Sequence, residues 1–132
     1  IDGVPYLDGG VADSVPIRHA LKSGNAKIVV VLTRNPGYRK KPVSKGTANL
    51  YRKAYKSYPK MATCAVHRNR MYNRTMELVE KLEAEGRIYV IRPMVPTVSR
   101  LERDYDKLMS FYEHGYALMK KEYANLLRYM EE

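Results

Sequence analysis

Apolar positions along the chain follow two patterns, short continuous runs and longer stretches that recur every three or four residues. The runs lie at Val4–Leu7, within Lys27–Thr33 and within Arg87–Pro93, each next to glycine or proline. Turn-bounded, β-branched runs of this length predict strands. The unbroken Ile28–Leu32 core of the second predicts one covered on both faces, as in a parallel sheet between helices. Ile17–Ser23 reads as a short helix, capped by Asp13 or Ser14, with Pro16 suited to its first turn and Gly24 stopping it. Residues 46–58 place Leu50, Ala54 and Tyr58 on one helical face and Arg52, Lys53 and Lys56 opposite. Pro59 ends or kinks that helix, and Ser57 is placed to cap the next.

The next helical stretch carries Met61, Cys64, Ala65, Tyr72, Met76, Val79 and Leu82 and closes at Gly86. Ser99-Arg100-Leu101-Glu102 has the form of a capping box, which predicts a helix starting there. Leu101, Tyr105, Leu108 and Tyr112 keep helical spacing to Gly115, and Met119, Tyr123, Leu126 and Met130 resume it. Such Tyr and Met stripes read as core or packing surface and not as a cofactor box. The order strand, loop, helix, strand makes the class α/β. It divides the chain into residues 1–45, the strand–loop–helix–strand part with its basic loop, and residues 46–132, a helix–strand–helix subdomain.

Composition sharpens this picture in one respect, charge. With 132 residues, 45% of them hydrophobic, the chain can bury one core, and its opening at Ile1 suggests a true N-terminus upstream. No apolar run reaches the length of a membrane span and no signal-peptide pattern opens the chain. A single cysteine excludes an internal disulfide and points to a reducing, cytoplasmic setting. Between Ser14 and Met76 there are fifteen Lys and Arg and no acid, whereas residues 77–132 hold nine against eleven Asp and Glu. A block of this kind calls for a polyanion: anionic lipid headgroups, nucleic acid or an acidic protein. No zinc knuckle, RNP-type motif or helix-turn-helix signal supports nucleic acid.

Candidate chemistry centres on Tyr6-Leu7-Asp8-Gly9-Gly10, an apolar run that delivers a carboxylate to two glycines. Asp8 is the candidate site carboxylate, and Gly9 and Gly10 the loop that positions it, since glycine tolerates positive φ and close approach. Pro36-Gly37 predicts a type II turn from which Arg39, Lys40 and Lys41 project. In open α/β sheets ligands gather beyond the carboxyl ends of strands, so parallel strands would bring Asp8 and these cations to one edge. His19, His67 and His114 are scattered. Cys64 and His67 share a helical face without a second pair, so no metal site is expected. Dinucleotide and P-loop glycine motifs are absent, so no cofactor is expected, and Gly-x-Ser-x-Gly is absent as well. His19 and Ser14, the nearest other base and nucleophile, have no such elbow.

Tyr6 through Ile17 resembles the catalytic-aspartate segment of bacterial patatin-like phospholipases. Lys27–Arg34 with Pro36-Gly37-Tyr38-Arg39-Lys40-Lys41-Pro42 resembles the following strand and basic loop of that subgroup. Tyr58-Pro59, Arg70-Met71-Tyr72-Asn73, Glu85-Gly86-Arg87, Ile91-Arg92-Pro93 and Leu101-Glu102-Arg103-Asp104 resemble its C-terminal region. The resemblance implies the C-terminal part of a patatin-like mixed or parallel sheet flanked by helices, with a helix-rich C-terminal subdomain. It implies a lipid acyl hydrolase acting through a Ser–Asp dyad, with Asp8 as base and phospholipid or another acyl ester as substrate. The nucleophilic serine and the oxyanion loop would lie in a missing N-terminal half, so residues 1–132 alone would be inactive. Arg39, Lys40 and Lys41 then fall to an anionic headgroup and a peripheral membrane contact. The alternative is a non-catalytic basic module for anionic membrane or nucleic acid, and a third reading makes residues 46–132 an interaction subdomain.

Overall fold

A computed structural model describes residues 2–131. Its elements, in chain order, are a 3₁₀ turn at Gly9–Val11, α1 (Ile17–Lys22), β1 (Val29–Val31), α2 (Lys45–Ala54), α3 (Pro59–Ala84), β2 (Tyr89–Ile91) and α4 (Tyr105–Glu131). The chain is mixed α/β, more than half helical, with β1 and β2 paired in parallel, Val29 opposite Tyr89 and Val31 opposite Ile91. Two compact units form. One comprises Ile1–Ser23 and Arg39–Glu80, the other Gly24–Tyr38 and Lys81–Glu132.

In the first unit Ile17, Ala48, Ala62, Ala65, Thr75, Met76 and Val79 are buried. Ser44 caps α2, its hydroxyl accepting the Thr47 N–H at 3.1 Å. The helix stops at Ala54, earlier than the spacing to Tyr58 predicts. Pro59 disfavours helical backbone at Tyr58 and takes the first position of α3, where its missing N–H has no partner to lose. α3 closes with the Arg87 N–H on the Leu82 carbonyl (2.9 Å) and the Gly86 N–H on that of Glu83 (3.0 Å). Gly86 sits at φ +68°, the left-handed stop that its sequence position predicts.

The second unit holds the sheet. Val30, Leu32, Leu82 and Ile88 are buried, while Val31 is 71% exposed. The expectation of a strand covered on both faces is therefore corrected: β1 alternates, because two strands with α4 packed on β2 cover one face only among the described residues. The segments leaving the carboxyl ends are tied together. Asn35 Nδ2 donates to the Pro93 and Val95 carbonyls (3.1 and 2.6 Å), and Arg34 donates to Thr97 Oγ1 at 2.9 Å. Between them Gly37, at φ +74°, makes the turn with the Tyr38 N–H on the Asn35 carbonyl. Arg92 pairs with Glu83.

Three further expectations change. Val4–Leu7 forms no strand of the sheet, which consists of β1 and β2. α1 has Pro16 at its N-cap and no side-chain cap; the Ser14 hydroxyl donates instead to the Gly10 carbonyl at 2.8 Å. The Ser99–Glu102 motif makes turns, not a helix start. Glu102 Oε1 accepts from the Arg103 and Asp104 N–H groups (3.0 and 3.1 Å), and Asp104 caps α4 through the Lys107 N–H at 3.2 Å. From Tyr105 the helix runs unbroken through Gly115. No helix among the described residues is long and apolar enough to cross a membrane.

Candidate functional site

Asp8 is exposed, at the start of the 3₁₀ turn. Its Oδ1 accepts the Gly10 N–H at 2.7 Å, and its carbonyl accepts the Val11 N–H at 3.0 Å. The Gly9 carbonyl takes the Ala12 and Asp13 N–H groups (3.0 and 2.9 Å), and the Ser14 hydroxyl closes the loop on Gly10. The carboxylate is thus oriented by backbone, with one oxygen held and the residue open to solvent. Neither Gly9 nor Gly10 has positive φ. Gly10 is there for room, since a Cβ would lie 3.1 Å from Asp8 Oδ1, whereas a Cβ on Gly9 would meet nothing within 4 Å. Close approach, and not backbone handedness, is what this glycine supplies.

The basic loop is clamped rather than free-standing. Arg39 makes a two-pronged pair with Glu80 (3.0 and 2.6 Å), and that hydrogen bond is the main cause raising its pKa. Asn73 on α3 accepts the Lys40 N–H at 2.9 Å and donates to the Lys40 carbonyl at 3.0 Å. One turn earlier Asn69 donates to the Lys41 carbonyl at 2.8 Å. The Lys40 ammonium lies 4.0 Å from the centre of the Tyr72 ring, a cation–π distance. Lys41 is exposed. Asn69 and Asn73 were not singled out from sequence, although asparagines four apart on a helix share a face.

The described bonds of Asp8 and of the loop run to different partners: Gly10 for the first, Glu80, Tyr72, Asn73 and Asn69 for the second. A cavity of about 100 Å³ in the same unit is lined by Asp13, Ser14, Arg18, Arg68, Tyr72 and Thr75, with Ala12, Val15 and Met71. Arg68 Nε is buried there without a hydrogen-bond partner among the described residues. Arg18 and Arg68 line this space with the Tyr72 and Thr75 hydroxyls and the Asp13 carboxylate, while the Ser14 hydroxyl is committed to Gly10, so an oxyanion entering it would be bound by the two guanidinium groups. Charge density alone hinted at these arginines; only folding brings residue 18 beside residue 68.

His114 is engaged, its Nε2 accepting the Met94 N–H at 3.2 Å. Cys64 is exposed and reduced, and no group of three metal-ligating side chains occurs among the described residues. No curated protein and no solved structure matches the chain. Residues 58–131, from the start of α3 through α4, match a family known as DUF6363, a domain of unknown function, and the chain belongs to that family.

Proposed function

We propose that the chain carries the base and an anion-facing surface of a patatin-like lipid acyl hydrolase whose nucleophilic serine lies upstream of Ile1. The supporting observation is Asp8, an exposed carboxylate oriented by the Gly10 amide against a glycine that leaves it room. In the proposed reaction the Asp8 carboxylate takes the serine proton as the serine oxygen bonds to the ester carbonyl. The carbonyl electrons move onto oxygen, and collapse of that intermediate expels the alcohol, which recovers the proton from Asp8. Water then repeats the sequence on the acyl-enzyme and releases the fatty acid. With no histidine between them, base and nucleophile must touch, which a backbone-locked aspartate favours. The sheet would be the C-terminal edge of a larger patatin-like sheet. Lys41, Arg18 and Arg68 would meet the headgroup phosphate, while Arg39 holds the loop through Glu80. With a single cysteine the intact protein would work in the reducing cytoplasm, in peripheral contact with anionic membrane.

The test is Asp8→Asn in the full-length protein, assayed on a short-chain aryl ester. Turnover should fall about 10²–10⁴-fold, the usual contribution of a positioned base. Asp13→Asn should be far milder, and the reverse order would move the base to Asp13. Normal hydrolysis by both variants would move the base to another residue, and an unaltered full-length protein that binds anionic vesicles in a salt-sensitive way but hydrolyses no ester would leave the non-catalytic basic module in its place.

A further inference from the structure

α4 has two apolar faces; its own unit packs one of them and leaves the other open except at Met109, Met119 and Leu126, which are half-buried. Toward the sheet, the Tyr129 hydroxyl bonds the Ile28 backbone N–H and carbonyl (3.1 and 3.2 Å) and the Arg87 carbonyl (3.2 Å). On the same side Glu122 accepts from the Tyr89 hydroxyl at 2.7 Å, and His114 accepts from Met94. About a third of a turn away runs a second stripe. It has Tyr105, Tyr112, Met119 and Leu126 at one heptad position, and Met109, Tyr116, Tyr123 and Met130 four residues after each. A 3.5-residue apolar repeat sustained over a whole helix is the pattern of a coiled-coil seam, and one helix cannot bury such a seam by itself. Its tyrosines are 71%, 64%, 58% and 57% exposed, in chain order.

We infer that two copies of the protein pair through α4, antiparallel, about a two-fold axis beside Ala117 and Leu118. In that register every seam residue meets one of suitable size: Tyr105 the partner's Met130, Met109 the partner's Leu126, Tyr116 the partner's Met119, and Tyr112 the partner's Tyr123. Methionine against an aromatic ring is a favourable, adaptable contact, and a tyrosine at such a seam keeps its hydroxyl toward solvent. The flanks agree. Glu113 falls beside the partner's Lys120, twice by symmetry, and Lys120 already lies over the seam, 4.7 Å from the centre of the Tyr116 ring. A parallel pair would stack tyrosine on its own copy in four layers and would place no cation opposite Glu113.

Charge selects the same occupant. The chain carries +10, which keeps copies apart, yet Tyr105–Glu131 is neutral, with Lys107, Lys120, Lys121 and Arg128 against Asp106, Glu113, Glu122 and Glu131. A neutral apolar stripe suits neither a polyanion nor an anionic leaflet; it suits its own copy. At 150–250 Å² for a wholly buried aromatic, the four exposed tyrosines alone offer about 400–600 Å² per protomer. Leu108, Leu127 and Met130, each at least 40% exposed, bring this toward the roughly 800 Å² per partner of a stable interface.

Sedimentation and light scattering of the full-length protein at micromolar concentration should show a dimer. Tyr116→Glu with Tyr123→Glu should give a monomer with unchanged circular dichroism. Glu113→Lys or Lys120→Glu alone should weaken the dimer about tenfold, and the two together should restore it. Independently of those variants, mixing Met109→Cys with Leu126→Cys protein in a Cys64→Ser background should give an interchain disulfide on oxidation, and Met109→Cys alone should give none. A disulfide from Met109→Cys alone would make the pair parallel and overturn the register. A monomer at these concentrations overturns the pairing, and hydrogen-exchange protection of α4 in that monomer would assign the stripe to another part of the same chain.

Discussion

Helices α3 and α4 have 26 and 27 residues and both repeat apolar side chains at helical spacing, but α3 buries Ala62, Ala65, Thr75, Met76, Val79 and Leu82 whereas α4 buries nothing completely. The buried residues of α3 are mostly small, which lets other backbone come close and spends the helix on this chain's own core. Those of α4 are large and amphipathic. They rest half-buried on one side against β2 and stand exposed on the other. Helix length and apolar spacing therefore did not decide which helix became core. A helix with an unspent apolar face is held less by its own fold than by what pairs with it.

Substitution should separate the two helices sharply. Val79 is fully buried, and Val79→Asp would leave a charge without a partner in the core of the first unit. It should cost more than about 4 kcal/mol and abolish cooperative unfolding in urea. A cost under about 1 kcal/mol would mean that α3 is not the core element described. On the polar side of α3, Asn73→Ala strips two hydrogen bonds from the Lys40 backbone. A loss of about 1–3 kcal/mol is expected, with faster hydrogen exchange at the Lys40 amide. Unchanged exchange would show that the Arg39–Glu80 pair alone holds the loop.

On α4 the sheet-facing bond gives a pH signature. Burial first, then the hydrogen bond to Glu122, pushes the Tyr89 hydroxyl up to about 12. That same bond, followed by Asn125, lowers the Glu122 pKa. The Glu122 contribution is present above its ordinary pKa of about 4.5 and lost as pH falls through the depressed folded value. The Tyr89 contribution is whole below its ordinary pKa of about 10 and lost as pH climbs toward 12. Tyr89→Phe should flatten both limbs of melting temperature against pH, and limbs left as steep would place the titrating groups elsewhere. Smallest of all, Tyr112→Ser in protein diluted to monomer should shift stability by no more than about 0.5 kcal/mol. A larger loss would show that the α4 stripe is already packed within one chain.

Much of the fold was legible because its signals are local. Gly24 and Gly86 stop helices, Pro36-Gly37 turns the chain, and the β-branched runs at 28–32 and 88–91 form strands, since each depends on backbone sterics within a few residues. The Asp8–Gly10 contact is local too, joining residues two apart. The Ser99–Glu102 motif misled because its side chains bond to neighbouring N–H groups in a turn as readily as at a helix start.

What the sequence by itself determined is the α/β class, the element order from α1 onward and where the charge is concentrated. Only the tertiary structure decided that Arg39 is committed to Glu80, that Asn69 and Asn73 clamp the loop, that Arg68 lies beside Arg18 and Ser14, and which face of α4 meets the sheet. The physical reason is range. Propensity, capping and periodicity act over one helical turn, whereas each of these pairings joins residues dozens of positions apart and exists only once the chain between them has folded.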